Sequence, residues 1–389
     1  MKPVTYLSNL RIPSEMANSV QIMKMCESMS YLGTNVNLVK PERASQLDNE
    51  YEDLFDYYDI EKKFEITNLR YFDVNKYEKK IPHYFYRRIN YINNWIWERY
   101  LINYYLRHHK NSVVFMRNTL HFAINLIKVN NIPTIMEFHN MPPLRHIQKY
   151  KNLFKYSNNI YPLALTRGLA EDMSSELGIN INDILVVPGA VDISKFKPTP
   201  VESNKDKKLN ITYVGSLIKN RGVDLLLEAA KLLPDYCINI IGGVGQELSN
   251  AQNYLKKYKI RNVYLLGHKS QREIYNYYNL ADILILPMSG KETHTQKYAS
   301  PNKLFEYMAT GNPIIAANLP SINEILTDGE NSLLFEPDNV LNLVHKIKLL
   351  SDNKTLKIKL SKNARQIAES FTWDNRVQSI YKHIDNKKI

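Results

Sequence analysis

Residues 209–241 decide the fold of this chain, and they read LNITYVGSLIKNRGVDLLLEAAKLLPDYCINII. An apolar run at 209–214 is followed by a helical pattern at 223–233 and by a second apolar run at 237–241. A strand, a helix and a strand in this order predict two parallel strands joined by a crossover helix. The stretch therefore predicts an α/β domain built on a parallel sheet.

The same alternation extends in both directions along the chain of 389 residues. Towards the C-terminus, apolar runs and helical patterns alternate as far as Ala317, and helical patterns alone follow Val340. In the first half the alternation is present from Val4 to Val187, with a helix predicted over 118–130. We therefore predict an α/β fold of two Rossmann-like, doubly wound domains that face a central cleft, with ligands at the carboxyl ends of the strands.

A polar segment at 198–208 separates the two α/β runs. It carries two prolines and several charged residues and has no apolar periodicity, which is typical of a linker. A chain of this length is also expected to form two domains. The predicted domains are therefore 1–197 and 208–370, followed by a C-terminal helix at 371–389.

The composition excludes several classes of protein. Apolar residues make up 44% and charged residues 23% of the chain, as in soluble globular proteins and unlike disordered chains. The two cysteines, Cys26 and Cys237, give neither a disulfide framework nor a zinc site of known spacing. The sequence has no 18-residue apolar window, and its start lacks the apolar core of a signal peptide, so we expect a cytoplasmic protein.

The strongest functional signal is the segment SPNKLFEYMATGNPIIA at 300–316. It predicts a polar loop that leads into a helix N-terminus, where backbone N–H groups and the helix dipole favour a phosphate group. Lys303 lies in the first turn, where a cation is unfavourable unless an anion binds nearby. Glu306 lies three residues later on the same face, where its carboxylate can accept two ribose hydroxyls. The pattern also fits an ordinary helix that is capped by Ser300 and carries an acid in its first turn.

Two further loops follow predicted strands of the same domain. Gly215 and Ser216 open a short loop with two cations, and Gly222 lets the backbone pass closely before the next helix. Arg221 is placed to hold a pyrophosphate with its forked guanidinium, although an ordinary surface arginine fits the pattern as well. The second loop, GGVGQE at 242–247, is rich in glycine but lacks the spacing of a dinucleotide or Walker motif.

A histidine follows a predicted strand of the first domain. Residues 135–142 read IMEFHNMP, so the end of the strand presents His139 towards the predicted cleft. A single histidine in this position is compatible with a role at a substrate and with a purely structural role.

Taken together, these residues resemble the retaining GT-B glycosyltransferases of family four. Residues 306–316 match the family's E-x-M-A-x-G-x-P-x-I-A pattern. The opening segment 8–19, the turn at 187–192 with Phe196, and the tail at 371–373 are also similar to family members. The resemblance covers nearly the whole chain.

Two single residues and one loop depart from the family pattern. Tyr298 stands where the family usually has the first glutamate of an E-x7-E motif, and Ser216 stands where an arginine is common. The glycine-rich loop is replaced by Ala-Ser-Pro-Asn-Lys at 299–303, and Pro301 has no backbone N–H to donate. This Ser-Pro-x-Lys pattern is similar to the one found in a recognised branch of the family. It implies altered donor binding, in which Lys303 and nearby amides take over, so the sugar specificity of better-known members does not carry over.

The resemblance implies transfer of a hexosyl unit from a nucleotide diphosphate sugar with retention of configuration. Arg221 and Lys303 are the expected catalytic cations, because negative charge develops on the departing diphosphate. His139 is expected to contact the sugar or the reacting centre, and Glu306 to hold the ribose. The expected donor-binding residues of the second domain are Gly215, Ser216, Arg221, Gly243, Val244, Glu247, Tyr298, Ser300, Pro301, Asn302, Lys303, Leu304 and Glu306.

The resemblance also assigns roles to the domains. The first would receive a glycan or lipid-linked acceptor and the second the nucleotide sugar, with the final helix crossing back to the first. The residues expected on the acceptor side are Arg11, Ser14, Glu15, Asn18 and Arg117. UDP is the expected nucleotide as the commoner donor base in the family, and no metal ion or other cofactor is expected, because no DxD-like motif ends a strand of the second domain. The implied task is the synthesis of a bacterial surface polysaccharide.

The segment 79–110 combines basic and aromatic residues. It holds seven Lys and Arg residues and nine Phe, Trp and Tyr residues, with Glu98 as its single acid. Such helices suit an anionic membrane surface, which would place the protein peripherally on the inner face of the plasma membrane. The alternative is a helix pair whose aromatic side chains form core. No nucleic-acid-binding motif accompanies these residues, so a nucleic acid is not expected as a partner despite the net charge of +12.

Two other functions stay open. A GT-B nucleotide-sugar epimerase would need acids for proton abstraction, and the sequence offers no clear pair of them. A non-catalytic subunit that stimulates a partner is suggested by Tyr298 and Ser216, although Arg221 and Glu306 are both retained.

Overall fold

The structure, a computed structural model, describes residues 2–14, 16–43, 53–74, 80–196 and 208–387. The chain divides into two compact units. The first unit comprises Met1–Leu165, Leu169–Val187 and Val377–Ile389, and the second comprises Thr166–Gly168 and Pro188–Arg376. The predicted linker lies, apart from Lys208, outside the described residues.

The first unit is built on a parallel sheet of seven strands in the order β3-β2-β1-β4-β5-β6-β7. The strands are β1 (Val4–Leu7), β2 (Val36–Glu42), β3 (Glu65–Arg70), β4 (Val113–Arg117), β5 (Thr134–Phe138), β6 (Ile160–Ala164) and β7 (Leu185–Val186). The helices between them are α1 (Ala17–Tyr31), α2 (Leu54–Tyr57), α3 (His83–His108), α4 (Ile124–Val129), α5 (Leu144–Tyr156) and α6 (Arg167–Leu177).

The second unit repeats this plan with six parallel strands in the order β10-β9-β8-β11-β12-β13. The strands are β8 (Asn210–Val214), β9 (Cys237–Ile241), β10 (Val263–Gly267), β11 (Ile283–Leu286), β12 (Ile314–Ala317) and β13 (Leu333–Phe335). The helices are α7 (Val223–Lys231), α8 (Gly245–Lys257), α9 (Gln271–Asn279), α10 (Asn302–Thr310), α11 (Pro320–Asn323), α12 (Val340–Asp352), α13 (Lys354–Ala368) and α14 (Trp373–Asn386), whose last part belongs to the first unit.

The central strands are continuous apolar runs because helices cover both faces of the sheet. In β11, Ile283, Leu284 and Ile285 have no exposed surface, and Leu286 is 4% exposed. The predicted α/β fold with two doubly wound, Rossmann-like domains is confirmed.

The strand order of the second unit reverses between β8 and β11, and ligands bind at such points in open α/β sheets. Gly222, which precedes α7, has a φ of +74° there. A Cβ atom on Gly222 would overlap the carbonyl oxygen of Pro287, directly after β11. Only glycine therefore allows the loop after β8 to pass this close to the end of β11.

The helix predicted over 118–130 is wrong in length, because α4 begins only at Ile124. A buried carboxyl group explains the difference. Oε2 of Glu98 accepts hydrogen bonds from the backbone N–H groups of Phe122 (2.6 Å) and Ala123 (2.9 Å), which fixes the turn before the helix. This contact comes from α3 and has no local signal in the sequence.

Candidate functional site

The N-terminus of α10 carries no side-chain cap within the described part of the chain. Its N-cap residue is Pro301, which makes no capping bond. Oγ of Ser300 instead accepts the backbone N–H of Gly189 at 2.8 Å, so the alternative of a helix capped by Ser300 is wrong. The first backbone N–H groups of a helix have no partner within the helix and carry the positive end of its dipole. This end of α10 is therefore suited to an anion.

Glu306, in the same helix, is held as a buried carboxylate. It is 6% exposed, and its Oε2 accepts hydrogen bonds from the Tyr278 hydroxyl (2.6 Å) and from Nζ of Lys303 (2.8 Å). Its Oε1 accepts only a long bond, 3.4 Å, from Nε2 of Gln271. The bonds to Oε2 therefore hold the carboxylate in position, whereas Oε1 can still accept hydrogen bonds from the hydroxyl groups of a ligand.

The Tyr278 hydroxyl stays protonated and donates to this carboxylate. Burial, together with the negative charge of Glu306, holds the pKa of Tyr278 well above its usual value. The pair therefore consists of a neutral phenol and a carboxylate, and the cation of Lys303 completes it.

Lys303 spans the distance between the carboxylate and the helix end. Its side chain is 22% exposed, and Nζ lies 5.9 Å from the centre of the Tyr278 ring. An ammonium group has three N–H donors, so the bond to Glu306 leaves donors for an anion at the start of α10.

The loops after β8 and β9 pack closely against each other. The backbone N–H of Gly215 donates to the carbonyl oxygen of Ile241 at 2.9 Å. Gly242 has a φ of +121°, and a Cβ atom there would overlap the carbonyl oxygen of Gly215. Ser216 is exposed, and its backbone carbonyl oxygen accepts a hydrogen bond of 2.8 Å from the Tyr213 hydroxyl. These contacts keep the exposed residues of the first loop in place.

Arg221 ends a 3-10 turn, Lys219–Arg221, in the loop after β8. The pKa of His294 is lowered by burial and, in addition, by the positive charge of Arg221. The pKa of Tyr213 is raised by burial, and the charge of Arg221 opposes this rise. Arg221 therefore lies close to both groups. Arg221 is a half-buried residue, and among the described residues its guanidinium forms no hydrogen bond or ion pair. Its five donors are available to a ligand.

The other predicted donor-binding residues also lie in the second unit. Gly243 (φ +77°) and the half-exposed Val244 follow β9. Glu247 lies in the first turn of α8, where its charge helps to raise the pKa of Tyr213. Tyr298 ends a π-helical turn, His294–Tyr298, and is 8% exposed, whereas Leu304 packs in the core with no exposed surface.

In the first unit, His139 follows β5 and contacts a buried carboxylate. Its Nε2 lies 2.5 Å from Oε1 of Glu137, which is 1% exposed. Nε2 of Gln21 donates to the same oxygen at 3.0 Å, and Nη1 of Arg117 donates to Oε1 of Gln21 at 3.4 Å. The structure thus brings His139 and Arg117, two predicted site residues, into one chain of contacts.

The remaining residues predicted on the acceptor side are less uniform. Ser14 is buried, and its backbone N–H donates to the Tyr58 hydroxyl at 2.7 Å. Arg11 and Asn18 are partly exposed, and Glu15 lies outside the described residues.

Sequence reasoning missed four residues that position the predicted groups: Tyr278, Gln271, Glu137 and Gln21. The position of Glu137, two residues before His139 in an apolar strand, was the available signal, since alternate residues of a strand share a face. Tyr278 and Glu306 are on different helices, and no local pattern links them.

The described residues contain no group of three His, Cys, Asp or Glu side chains arranged for a metal ion. Within the same residues, no helix combines the length and the apolar character needed to cross a bilayer.

Known proteins resemble this chain in sequence and in fold. A family model described as glycosyl transferases group 1 matches residues 195–367. An uncharacterized glycosyltransferase of Methanocaldococcus jannaschii is 29% identical over 170 residues, which cover 44% of this chain and 46% of the relative. The N,N'-diacetylbacillosaminyl-diphospho-undecaprenol alpha-1,3-N-acetylgalactosaminyltransferase of Campylobacter jejuni is 27% identical over 231 residues, 56% of this chain and 58% of the relative. The chain thus spans about half the length of these curated relatives.

A solved structure extends the likeness to the whole chain. The crystal structure of HepE from Anabaena in complex with UDP superposes with a TM-score of 0.72 at 13% identity, covering 99% of this chain and 100% of that protein. At this identity the likeness shows a common fold, the GT-B fold. The sequence comparison places the family resemblance in the second half of the chain: residues 195–367 match the model of the glycosyl transferases group 1 family.

Proposed function

We propose that this protein is a glycosyltransferase that moves a hexosyl unit from a nucleotide diphosphate sugar, UDP-linked, to a glycan or lipid-linked acceptor with retention of configuration. The observation that carries the proposal is the guanidinium of the half-buried Arg221. It has no hydrogen-bond or ion-pair partner among the described residues and lies at the switch point of the domain that matches the glycosyl transferases group 1 model.

The chemistry of the second unit supports a nucleotide diphosphate as the ligand. Arg221 offers a forked donor for the diphosphate, and the start of α10 with Lys303 offers a second positive region. Oε1 of Glu306 offers an acceptor for ribose hydroxyls. Both cations would stabilise the charge that develops as the nucleotide leaves, so we expect transfer to persist in the presence of EDTA.

The names of the relatives support the acceptor and the nucleotide. The Campylobacter jejuni relative acts, by its name, on a diphospho-undecaprenol-linked sugar, and HepE binds UDP. His139, held by Glu137, would contact the transferred sugar. The two alternatives, a nucleotide-sugar epimerase and a non-catalytic subunit, are not favoured by the family match or by these relatives.

A thermal-shift series with UDP, GDP and ADP and with their sugars tests donor binding. A ligand at 100 times its dissociation constant stabilises a protein by about 2.7 kcal/mol. We expect UDP and one UDP-sugar to raise the melting temperature, and the rise to be lost in Arg221→Ala and Glu306→Gln. Lys219→Ala, which removes an exposed cation two residues away, is the matched control and should keep the rise.

Transfer itself is tested with the UDP-sugar identified in this way and a polyprenyl-diphosphate-linked sugar as acceptor. The anomeric configuration of the product, read by NMR, reports on retention. The absence of stabilisation by any nucleotide diphosphate, or an equal rise in Arg221→Ala, would overturn the proposed donor site. Inversion at the anomeric carbon would overturn the retaining mechanism.

A further inference from the structure

Helix α3 of the first unit presents an apolar stripe to solvent. Phe85, Ile89, Ile92 and Ile96 are 57%, 41%, 55% and 54% exposed. Their spacing of four, three and four residues places them on one face of the helix. The stripe extends for about 16 Å along the helix axis, at 1.5 Å per residue. A face of this kind is normally buried in a water-soluble protein.

The stripe projects from a well-anchored helix. The second half of α3 carries buried side chains, including Trp97, Leu101 and Tyr105. At the middle of the helix, Nδ2 of Asn93 donates to the Tyr71 hydroxyl at 2.7 Å, which ties α3 to the chain after β3. The second half of α3 is therefore packed against the rest of the first unit, whereas the stripe in its first half is exposed.

The charged side chains that α3 itself exposes are all arginines. Arg88 lies over the ring of Tyr84 at 4.6 Å, and Arg99 lies over the ring of Trp95 at 5.0 Å. The single acid of α3, Glu98, is 2% exposed and is bonded to backbone N–H groups. A helix that exposes apolar, aromatic and arginine side chains, and whose own acid is buried, is complementary to anionic phosphate groups above an apolar layer.

We propose that α3 docks on the surface of an anionic lipid bilayer. Phe85, Ile89, Ile92 and Ile96 enter the boundary between head groups and acyl chains. Arg88 and Arg99 contact lipid phosphates, and the flanking rings of Tyr84 and Trp95 lie at head-group level, the depth that aromatic residues prefer. This inference does not depend on the proposed enzymatic activity.

Flotation of the full chain with vesicles tests the proposal. We expect binding to vesicles of phosphatidylcholine and phosphatidylglycerol in equal parts, and at least tenfold weaker binding to phosphatidylcholine alone. Binding should weaken in 0.5 M salt because surface charges are screened. Ile92→Ser/Ile96→Ser and Arg88→Gln/Arg99→Gln should each reduce the bound fraction at least fivefold.

A matched control removes an exposed apolar side chain of a different helix in the same unit. Val129, in α4, is 80% exposed, so Val129→Ser should bind vesicles like the unchanged protein. Melting temperatures of all variants should agree, because the changed side chains are exposed. A failure of nucleotide binding would leave this result untouched.

Tryptophan fluorescence gives a second readout on the same surface. Of the three tryptophans, Trp95 is 45% exposed, while Trp97 and Trp373 are 3% and 7% exposed. Vesicles should shift the emission to shorter wavelength, and Trp95→Phe should abolish the shift. Absence of binding to anionic vesicles, or equal binding by Ile92→Ser/Ile96→Ser, would overturn the proposal. So would a dimer, seen by size exclusion, that the same double variant dissociates, because a second copy of the chain would then cover the stripe.

Discussion

Oε1 of Glu137 lies 2.5 Å from Nε2 of His139, and the carboxylate is almost completely buried. The two residues are separated by one position at the end of β5, so they share a face of the strand. An ionised carboxylate only accepts hydrogen bonds, so Nε2 of the ring donates, and Gln21 donates to the same oxygen. Glu137 therefore fixes the orientation of the His139 ring.

Replacing Glu137 by glutamine tests this role. The amide keeps the size of the side chain but removes the charge that orients and stabilises the ring. We expect kcat for glycosyl transfer to fall by about 10–100-fold, because a displacement of about 1 Å in a group that contacts the substrate can cost up to about 100-fold. KM for the donor should stay within twofold, since the expected donor-binding residues are in the second unit.

Glu171→Gln, an exposed acid of α6, is the control and should leave kcat unchanged. A fall in donor affinity and in melting temperature that matches the fall in kcat would contradict a positioning role. In that case the pair would serve only to stabilise the first unit.

The central strands of both sheets could be predicted from the sequence because they are buried on both faces. The runs at Cys237–Ile241, Ile283–Leu286 and Ile314–Ala317 coincide with β9, β11 and β12. Strand β3 was not predicted, because this edge strand is mostly exposed and its residues are mixed in polarity. The start of α4 was misplaced because a contact with Glu98, from a distant helix, decides it.

The candidate site shows the same division. Arg221, Lys303 and Glu306 could be proposed as site residues from the sequence because each lies in a loop after a strand or in the first half of a helix, which are local features. The bond from Tyr278 to Glu306 joins residues 28 positions apart, and only the packing of α9 on α10 brings them together.

The Tyr278 hydroxyl should contribute to both stability and ligand binding. Tyr278→Phe removes a 2.6 Å bond to a buried carboxylate and leaves Lys303 as the remaining close partner of that oxygen. We expect a loss of about 1–3 kcal/mol in the free energy of unfolding, measured with urea. Calorimetry should also show weaker binding of the nucleotide, because the carboxylate is less firmly held.

The control is a second tyrosine–glutamate pair on the surface. Tyr254 donates to Glu228, whose side chain is 42% exposed, so Tyr254→Phe should cost less than about 1 kcal/mol. Equal losses in the free energy of unfolding of Tyr278→Phe and Tyr254→Phe would show that burial does not strengthen the bond between Tyr278 and Glu306.

Two glycines with the same backbone conformation separate conformational strain from close packing. Gly222 and Gly329 have φ values of +74° and +73°. A Cβ atom on Gly329 meets nothing within 4 Å, whereas one on Gly222 overlaps the carbonyl oxygen of Pro287. We expect Gly329→Ala to cost about 1–2 kcal/mol and Gly222→Ala about 3–5 kcal/mol, measured by urea unfolding. Similar costs would mean that the loop after β8 can move away from the end of β11.

Acid should destabilise the first unit through His146. Burial lowers the pKa of this histidine to about 4, and the nearby charges of Lys149 and Arg145 act in the same direction. Its Nε2 accepts a hydrogen bond from Nε of Arg145 at 3.1 Å, which a protonated ring cannot do. Between pH 6.5 and pH 4 the His146 ring is protonated in the unfolded chain but not in the folded chain. The free energy of unfolding therefore falls as the pH falls through this range.

Buried Glu98 has the opposite effect. Burial raises the pKa of Glu98 to about 8, so stability associated with this group is lost as the pH rises from about 4.5 to 8. The unchanged protein and the variant His146→Gln both contain Glu98, so the difference between their pH dependences does not include the contribution of Glu98. His146→Gln does not titrate and can still accept the bond from Arg145.

On going from pH 7.5 to pH 5, the unchanged protein should therefore lose about 2 kcal/mol more of its free energy of unfolding than His146→Gln, measured by urea unfolding at both values. His345→Gln, a change at an exposed histidine of α12, should follow the unchanged protein. Parallel pH dependences for the unchanged protein and His146→Gln would show that the ring is protonated inside the fold. The neighbouring Arg145 and Lys149 would then have to move apart to accept the added charge.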